Sequence, residues 1–241
     1  MSGLRFNQVC FSYGNAPCVV QFSCQLATGE LVGLIGANGS GKSTLLRLGA
    51  GMLTPTVGEV TLGDRPVRSL KGDERAALLG YLPQSIEAAL PFRVGELVEM
   101  GRAAARRDHL MSCCEVLTAV GLEGLEQTPL SQISGGERRR AFIAMILAQG
   151  GTTLLLDEPL AGLDLRYQYE LIALLQKVCK ERQLSILLTL HDLVLARQLD
   201  RLLVIRQGQL LADGLPGDIL TRQLVQQTFD LDPGFQAPYL L

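Results

Sequence analysis

The sequence predicts an α/β fold: a mixed sheet with an antiparallel β subdomain at the N-terminus and an α-helical subdomain inserted into the chain. Three observations carry this. Short apolar runs at Leu31 to Ile35, Thr152 to Asp157, Leu184 to His191 and Arg201 to Arg206 alternate with stretches of helical spacing, the pattern of strands buried on both faces of a parallel sheet. Residues 4 to 26 instead alternate apolar with polar, as strands with one solvated face do. From Glu87 to Gly150 strand candidates give way to apolar residues at helical spacing.

Taken in order, "LRFNQVCFSY" and "CVVQFSCQLA" flank Gly14-Asn15-Ala16-Pro17 and predict a hairpin. A strand over Leu31 to Ile35 and a helix over Ser43 to Gly49 come next. "TPTVGEVTLGDRPV" places turn residues around a short strand, and "ALLGYLP" predicts another that ends at Pro83. "VGELVEMGRAAARR", "LMSCCEVLTAVGL" and "GGERRRAFIAMILAQ" read as helices. Strand and helix then alternate through "TTLLLD", "LRYQYELIALLQKVCKER", "LSILLTLH" and "RLLVIR". Gln207-Gly208 predicts a hairpin turn, and only short helices are expected after Asp213. The expected organisation is one domain over 1–241, with a catalytic core from 1–86 and 151–241 around a helical subdomain at 87–150.

A chain of 241 residues with 47% hydrophobic content can bury a sizeable core. Its 22 Lys and Arg against 24 Asp and Glu give a net charge of −2, which argues against nonspecific gripping of nucleic acid, and no nucleic-acid partner is expected. Cys10, Cys18, Cys24, Cys113, Cys114 and Cys179 form no C-x-x-C pair and have no histidine at ligand spacing, so buried thiols are expected rather than a zinc site. "MSGLRFNQVC" lacks the features of a secretion signal and no apolar run reaches about 18 residues, so the expectation is a cytoplasmic chain that meets a membrane through a partner.

Gly36-Ala37-Asn38-Gly39-Ser40-Gly41-Lys42-Ser43, followed by Thr44, fits G-x-x-x-x-G-K-[ST] between a predicted strand and a predicted helix. Such a loop turns its amide N–H groups onto one point and adds the positive end of the helix, making an anion site. Lys42 would reach the β- and γ-phosphates of a nucleotide and the Ser43 hydroxyl would enter a Mg²⁺ shell. The core is thus that of a P-loop NTPase. "TLLLDEP" ends an apolar strand in two carboxylates, with Asp157 placed to hold Mg²⁺. Neighbouring strand residues point to opposite sides, so Glu158 is expected to face an attacking water. His191 ends a later strand, where a structural role and a contact to the γ-phosphate are both open.

The order and spacing of these motifs resemble the nucleotide-binding subunit of an ATP-binding cassette (ABC) transporter over about residues 4 to 230. The deciding stretch is "LSQISGGERRRAFIAMILAQ", in which Ile133 to Glu137 is similar to the family's signature motif. The resemblance implies that Tyr13 stacks on adenine and that Gln84 contacts Mg²⁺ and the attacking water. It further implies that Ser134, Gly135, Gly136 and Glu137 meet the ATP of an opposite subunit, and that Gly162, Leu163 and Asp164 touch that subunit. Glu158, His191, Gln84 and Lys42 would be the catalytic set, with Ser43, Gln84 and Asp157 on Mg²⁺. Implied partners are a second copy of the chain, integral membrane permease subunits and, indirectly, a substrate-binding protein, with the chain peripheral on the cytoplasmic face of the inner membrane.

Two stretches depart from the family pattern: Ile133 and Glu137 stand where Leu and Gln are usual, and Ala161-Gly162 precedes Leu163-Asp164, an extra glycine expected to loosen the loop. Arg138, Arg139 and Arg140 spread around one helical turn and are expected to form a solvated or partner-facing surface. Leu90, Pro91 and Phe92 either dock a permease helix or pack on their own helices. The branch most resembled serves importers of ferric siderophores, haem and cobalamin. The competing reading is a soluble cassette ATPase acting on DNA or the ribosome, which generally carries long coiled-coil arms or two cassettes.

Overall fold

The computed structural model describes residues 3–85, 91–104 and 111–232. Strands β1 (Leu4–Tyr13) and β2 (Ala16–Gln25) pair antiparallel about Gly14 and Asn15. Strand β3 (Leu31–Ile35) leads into helix α1 (Lys42–Gly49), followed by β4 (Val57–Leu62), β5 (Arg65–Pro66), the short α2 (Gly72–Ala76) and β6 (Leu79–Leu82). Helices α3 (Val94–Ala103), α4 (Cys113–Ala119) and α5 (Gly135–Ala148) come next. The chain then returns to strands and helices in turn: β7 (Thr153–Leu156), α6 (Leu165–Arg182), β8 (Ser185–Thr189), the one-turn α7 (Leu193–Ala196), β9 (Arg201–Arg206), β10 (Gln209–Gly214), α8 (Pro216–Ile219) and α9 (Arg222–Phe229).

Two sheets result. One is antiparallel in the order β2-β1-β4-β5; the other runs β10-β9-β3-β8-β7-β6, parallel except for β10. The period-two rule explains why the central strands are apolar throughout. Leu31, Ile35, Leu154, Leu156, Ile186, Leu188, Leu202 and Val204 face one core, packed with α3 to α6. Val32, Leu34, Leu155, Leu187, Leu203 and Ile205 face a second core, with Phe6 and Phe22 of the antiparallel sheet and Leu45, Leu46 and Leu48 of α1. Each fully buried leucine contributes about 1.5–3 kcal/mol, so one polar substitution on either face of these strands removes a large share of a domain's net stability.

Arg201 ties the sheets together: it donates to both carboxylate oxygens of Asp213 (2.5 and 2.6 Å) and to the Gln25 carbonyl at the end of β2 (3.0 Å). The turn Gln207-Gly208, both at positive φ, lets the β9–β10 hairpin reach back, and the Gly208 N–H donates to the Ser40 carbonyl at 3.0 Å. The cysteines correct one expectation. Only Cys24 and Cys179 are buried, where loss of solvent pushes both thiols up to about 12; Cys114 is exposed and the other three are intermediate. Among the described residues no helix is long and apolar enough to cross a membrane.

Candidate nucleotide site

Strands β3, β8, β7 and β6 are parallel neighbours, so their carboxyl ends lie along one edge of the sheet and the loops that follow converge there. The loop after β3 is Gly36 to Gly41. A side chain at Gly36 would collide with the Ile205 carbonyl, and one at Gly41, which sits at φ 102, would lie 2.7 Å from the Cys18 carbonyl; only glycine fits either position. Lys42 is 6% exposed, and its ammonium donates to the carbonyls of Gly36 (2.8 Å) and Ala37 (3.0 Å). Burial pushes its pKa down, while the carboxylates of Glu158 and Asp157 push it back up. Ser40 Oγ is buried with no hydrogen-bond partner among the described residues, an orphaned donor inside the loop.

The loop after β7 carries the carboxylates. Asp157 is 1% exposed, and its Oδ1 accepts from Thr189 Oγ1 at 2.8 Å; the same Thr189 oxygen accepts from the Glu158 N–H at 2.7 Å. Glu158 has left the strand and turned to φ 49, so a left-handed turn separates the two carboxylates, not the strand pleat used in the sequence argument. Glu158 Oε2 accepts from Gln84 Nε2 at 3.0 Å and its Oε1 lies 2.8 Å from His191 Nε2. Gln84 follows β6, and His191 stands two residues beyond the end of β8, which stops at Thr189. An open pocket of about 370 Å³ is lined by Asn38, Gly41, Lys42 and Ser43 together with Gln84 and Glu158. The lining offers backbone N–H groups, a lysine and hydroxyls, which suit phosphate, and one carboxylate, Glu158. Among the described residues no three His, Cys, Asp or Glu side chains are grouped to hold a metal ion. The hard oxygen donors Ser43 and Asp157 suit Mg²⁺, which keeps waters and phosphates in its shell and does not need an all-protein cage.

Tyr13, at the end of β1, is 50% exposed and meets Phe11 edge-on with centroids 4.9 Å apart. Ser134 caps α5: its Oγ accepts from the Glu137 N–H (3.2 Å), and Glu137 Oε2 accepts from the Ser134 N–H and hydroxyl (both 2.8 Å). Ser134, Gly135 and Gly136 are not among the residues lining the pocket of their own chain. Leu163 is buried, and a side chain at Gly136 would lie 3.1 Å from its Cδ2, while Asp164 caps α6 by accepting from the Tyr167 N–H. Gly162 sits at φ 75, a conformation natural to glycine. Phe92 is half-buried against the helical core and its carbonyl accepts from the Leu130 N–H, Pro91 is exposed, and Leu90 lies outside the described residues.

The family model of the ABC transporter matches residues 19–161, more than half of the chain. The chain belongs to the ABC transporter family. The cassette is 38% identical over 248 residues to the petrobactin import ATP-binding protein FpuC of Bacillus anthracis, covering 98% of this chain and 91% of that one. It is 37% identical over 246 residues to the hemin import ATP-binding protein HmuV of Rhodopseudomonas palustris (strain BisA53), covering 96% and 91%. In fold it matches the ADP conformation of MJ1267, an ATP-binding cassette of an ABC transporter, with TM-score 0.82 and 20% identity over 94% of this chain and 98% of that one. It is an ABC ATPase, and the mixed-sheet P-loop fold read from its motifs is the fold observed.

Two residues of the site were not expected. Thr189 joins Asp157 to the Glu158 backbone, and Arg139, expected on a solvated or partner-facing surface, is 8% exposed and turned inward. Arg138 and Arg140 also bond backbone carbonyls, at Leu130 and Ile133 and at Val120 and Gly121, and Arg140 lies over the Tyr167 ring. The three do diverge around the helix; each bonds carbonyls of its own chain where solvent or a partner was expected.

Proposed function

We propose that this cassette hydrolyses ATP to power import of an iron-bearing solute, a ferric siderophore or haem, through separate permease subunits at the cytoplasmic face of the inner membrane. The observation that carries the catalytic part is the position of Glu158, bonded to Gln84 and His191 at the mouth of the phosphate loop. In this reading the loop amides from Gly36 to Thr44 and the Lys42 ammonium hold the phosphates, and Tyr13 offers its half-exposed ring to adenine. Glu158 takes the proton of the attacking water, Gln84 orients that water, and His191 keeps the carboxylate in place and faces the γ-phosphate. Ser43, Asp157 and Gln84 would hold Mg²⁺, which neutralises charge on the β- and γ-phosphates when bound. Ser134, Gly135, Gly136 and Glu137 face the ATP of a second copy, and Gly162 to Asp164 touch that copy, so the working unit is a head-to-tail dimer.

The iron-bearing solute is inferred from the petrobactin and hemin import proteins to which the chain is similar. The helical subdomain, 87–150, is the surface we assign to the permease. The test is to isolate the tagged chain from detergent-solubilised membranes of its native host, identify what co-elutes, and reconstitute the complex. The expected result is a co-eluting polytopic permease, and ATP hydrolysis by the reconstituted complex that is stimulated by a binding protein loaded with ferric siderophore or haem. Stimulation only by an iron-free solute overturns the cargo; ribosomal or DNA-associated proteins in place of any permease overturn the transport reading.

A further inference from the structure

Arg139 lies on α5, five residues beyond Ser134. Its guanidinium is aimed at four backbone carbonyls in two loops. Nε donates to Pro159 O (3.1 Å), Nη1 to Gln84 O (2.9 Å), and Nη2 to Asp157 O (2.8 Å) and to Glu158 O. Two of these residues, Gln84 and Glu158, are the pair whose side chains bond each other at 3.0 Å. One rigid planar group therefore fixes the backbone beneath both members of the pair. Burial pushes the Arg139 pKa down, and the nearby charges of Asp157 and Glu158 oppose that shift. Its bonds go to carbonyls and leave the Glu158 carboxylate to Gln84 and His191. A buried charge is costly to keep, so a site that retains one in this arrangement gains geometry by it.

We infer that Arg139 is a positioning residue for hydrolysis, holding the Gln84–Glu158 pair in register and fastening it to the helix that begins at Ser134. The inference rests on Glu158 being the base. It gives α5 two ends with different tasks: the cap at Ser134 faces outward, and the next turn grips the catalytic loop of its own subunit. A shift of α5 when a second copy docks would thus reach Glu158 through one side chain. Lysine cannot replace it, because a point charge on a flexible stem does not span carbonyls from two loops.

The test compares steady-state ATP hydrolysis by the full chain as wild type, Arg139→Lys and Arg139→Met, each with and without Gln84→Ala, beside Glu158→Gln. Misplacing reacting groups by about 1 Å costs on the order of 100-fold, so kcat should fall at least about tenfold in both Arg139 variants. KM for ATP should stay within about twofold, because the phosphate loop is untouched. Adding Gln84→Ala should lower kcat by less than about twofold more, since residues acting as one unit are not additive. A kcat near wild type, full rescue by lysine, a parallel rise in KM, or a multiplicative loss with Gln84→Ala overturns the inference. So does unfolding of both variants at assay temperature, which would make Arg139 purely structural. Near-normal turnover by Glu158→Gln removes the base assignment and this inference with it, whereas inactive Glu158→Gln beside active Arg139 variants removes only the inference.

Discussion

At the scale of single residues, the site is organised around the Glu158 carboxylate. One oxygen faces the Gln84 amide and the other the His191 ring, and its side chain is 17% exposed, so it is held in one orientation while water still reaches it. Glu158→Gln preserves the shape and removes the proton acceptor of the proposed mechanism. General-base catalysis contributes about 10²–10⁴-fold, so kcat should fall by that order while ATP affinity changes little. Single-turnover hydrolysis alongside equilibrium nucleotide binding checks both halves, and normal turnover would show that another group activates the water. The phosphate loop, Asp157 and Glu158 could be picked out as candidates because each is a local pattern with its chemistry written in adjacent letters. Thr189 and Arg139 could not, because their partners are carbonyls, an amide and a carboxylate brought in from 18 to 55 residues away, and no spacing records them.

At the scale of elements, periodicity was enough for most of the fold. The run "LRYQYELIALLQKVCKER" is α6 from end to end, and the doubly apolar runs are the parallel strands. Ends were harder: β8 stops at Thr189, Leu190 beyond it is still buried in the core, and only His191 turns to the Glu158 carboxylate. The start of α5 accommodates the departure at Glu137, because glutamate at this position closes the capping box on Ser134, as the usual glutamine also can. The bonds from the Ser134 backbone and hydroxyl hold the Glu137 carboxyl below its ordinary 4.5. A folded-state pKa below the unfolded one means that the box stabilises the protein above about pH 4.5 and that this contribution fades as pH falls through the folded value. Ser134→Ala should cost about 1 kcal/mol at pH 7. Glu137→Gln should be less stable than wild type at neutral pH, with the gap closing in acid. Urea unfolding of the three proteins at neutral pH and well below pH 4.5 reads this directly; a gap that is independent of pH would mean the box is not formed in solution.

At the scale of the whole molecule, the phosphate loop and the start of α5 do not meet within one chain, and in the proposed function each is half of a site. The phosphate loop opens into a pocket that Ser134 to Gly136 do not line, and those residues are exposed or half-exposed at the start of α5. A twofold head-to-tail dimer is the simplest arrangement that completes both. This makes a prediction about mixing that a self-contained site does not. Lys42→Ala damages the phosphate loop and Ser134→Arg blocks the cap of α5, so each variant alone should form only defective sites. In a mixed dimer one site carries both lesions, while the other joins the intact loop of the Ser134→Arg chain to the intact cap of the Lys42→Ala chain. With random pairing half of the dimers are mixed and half of their sites are whole, so the equimolar mixture should recover roughly a quarter of wild-type ATPase activity if sites act independently. Recovery that rises with protein concentration and is absent from either variant alone supports the shared site. If the mixture is no more active than the mean of its parts at concentrations where wild type is active, each chain hydrolyses ATP by itself, and α5 must be given another role.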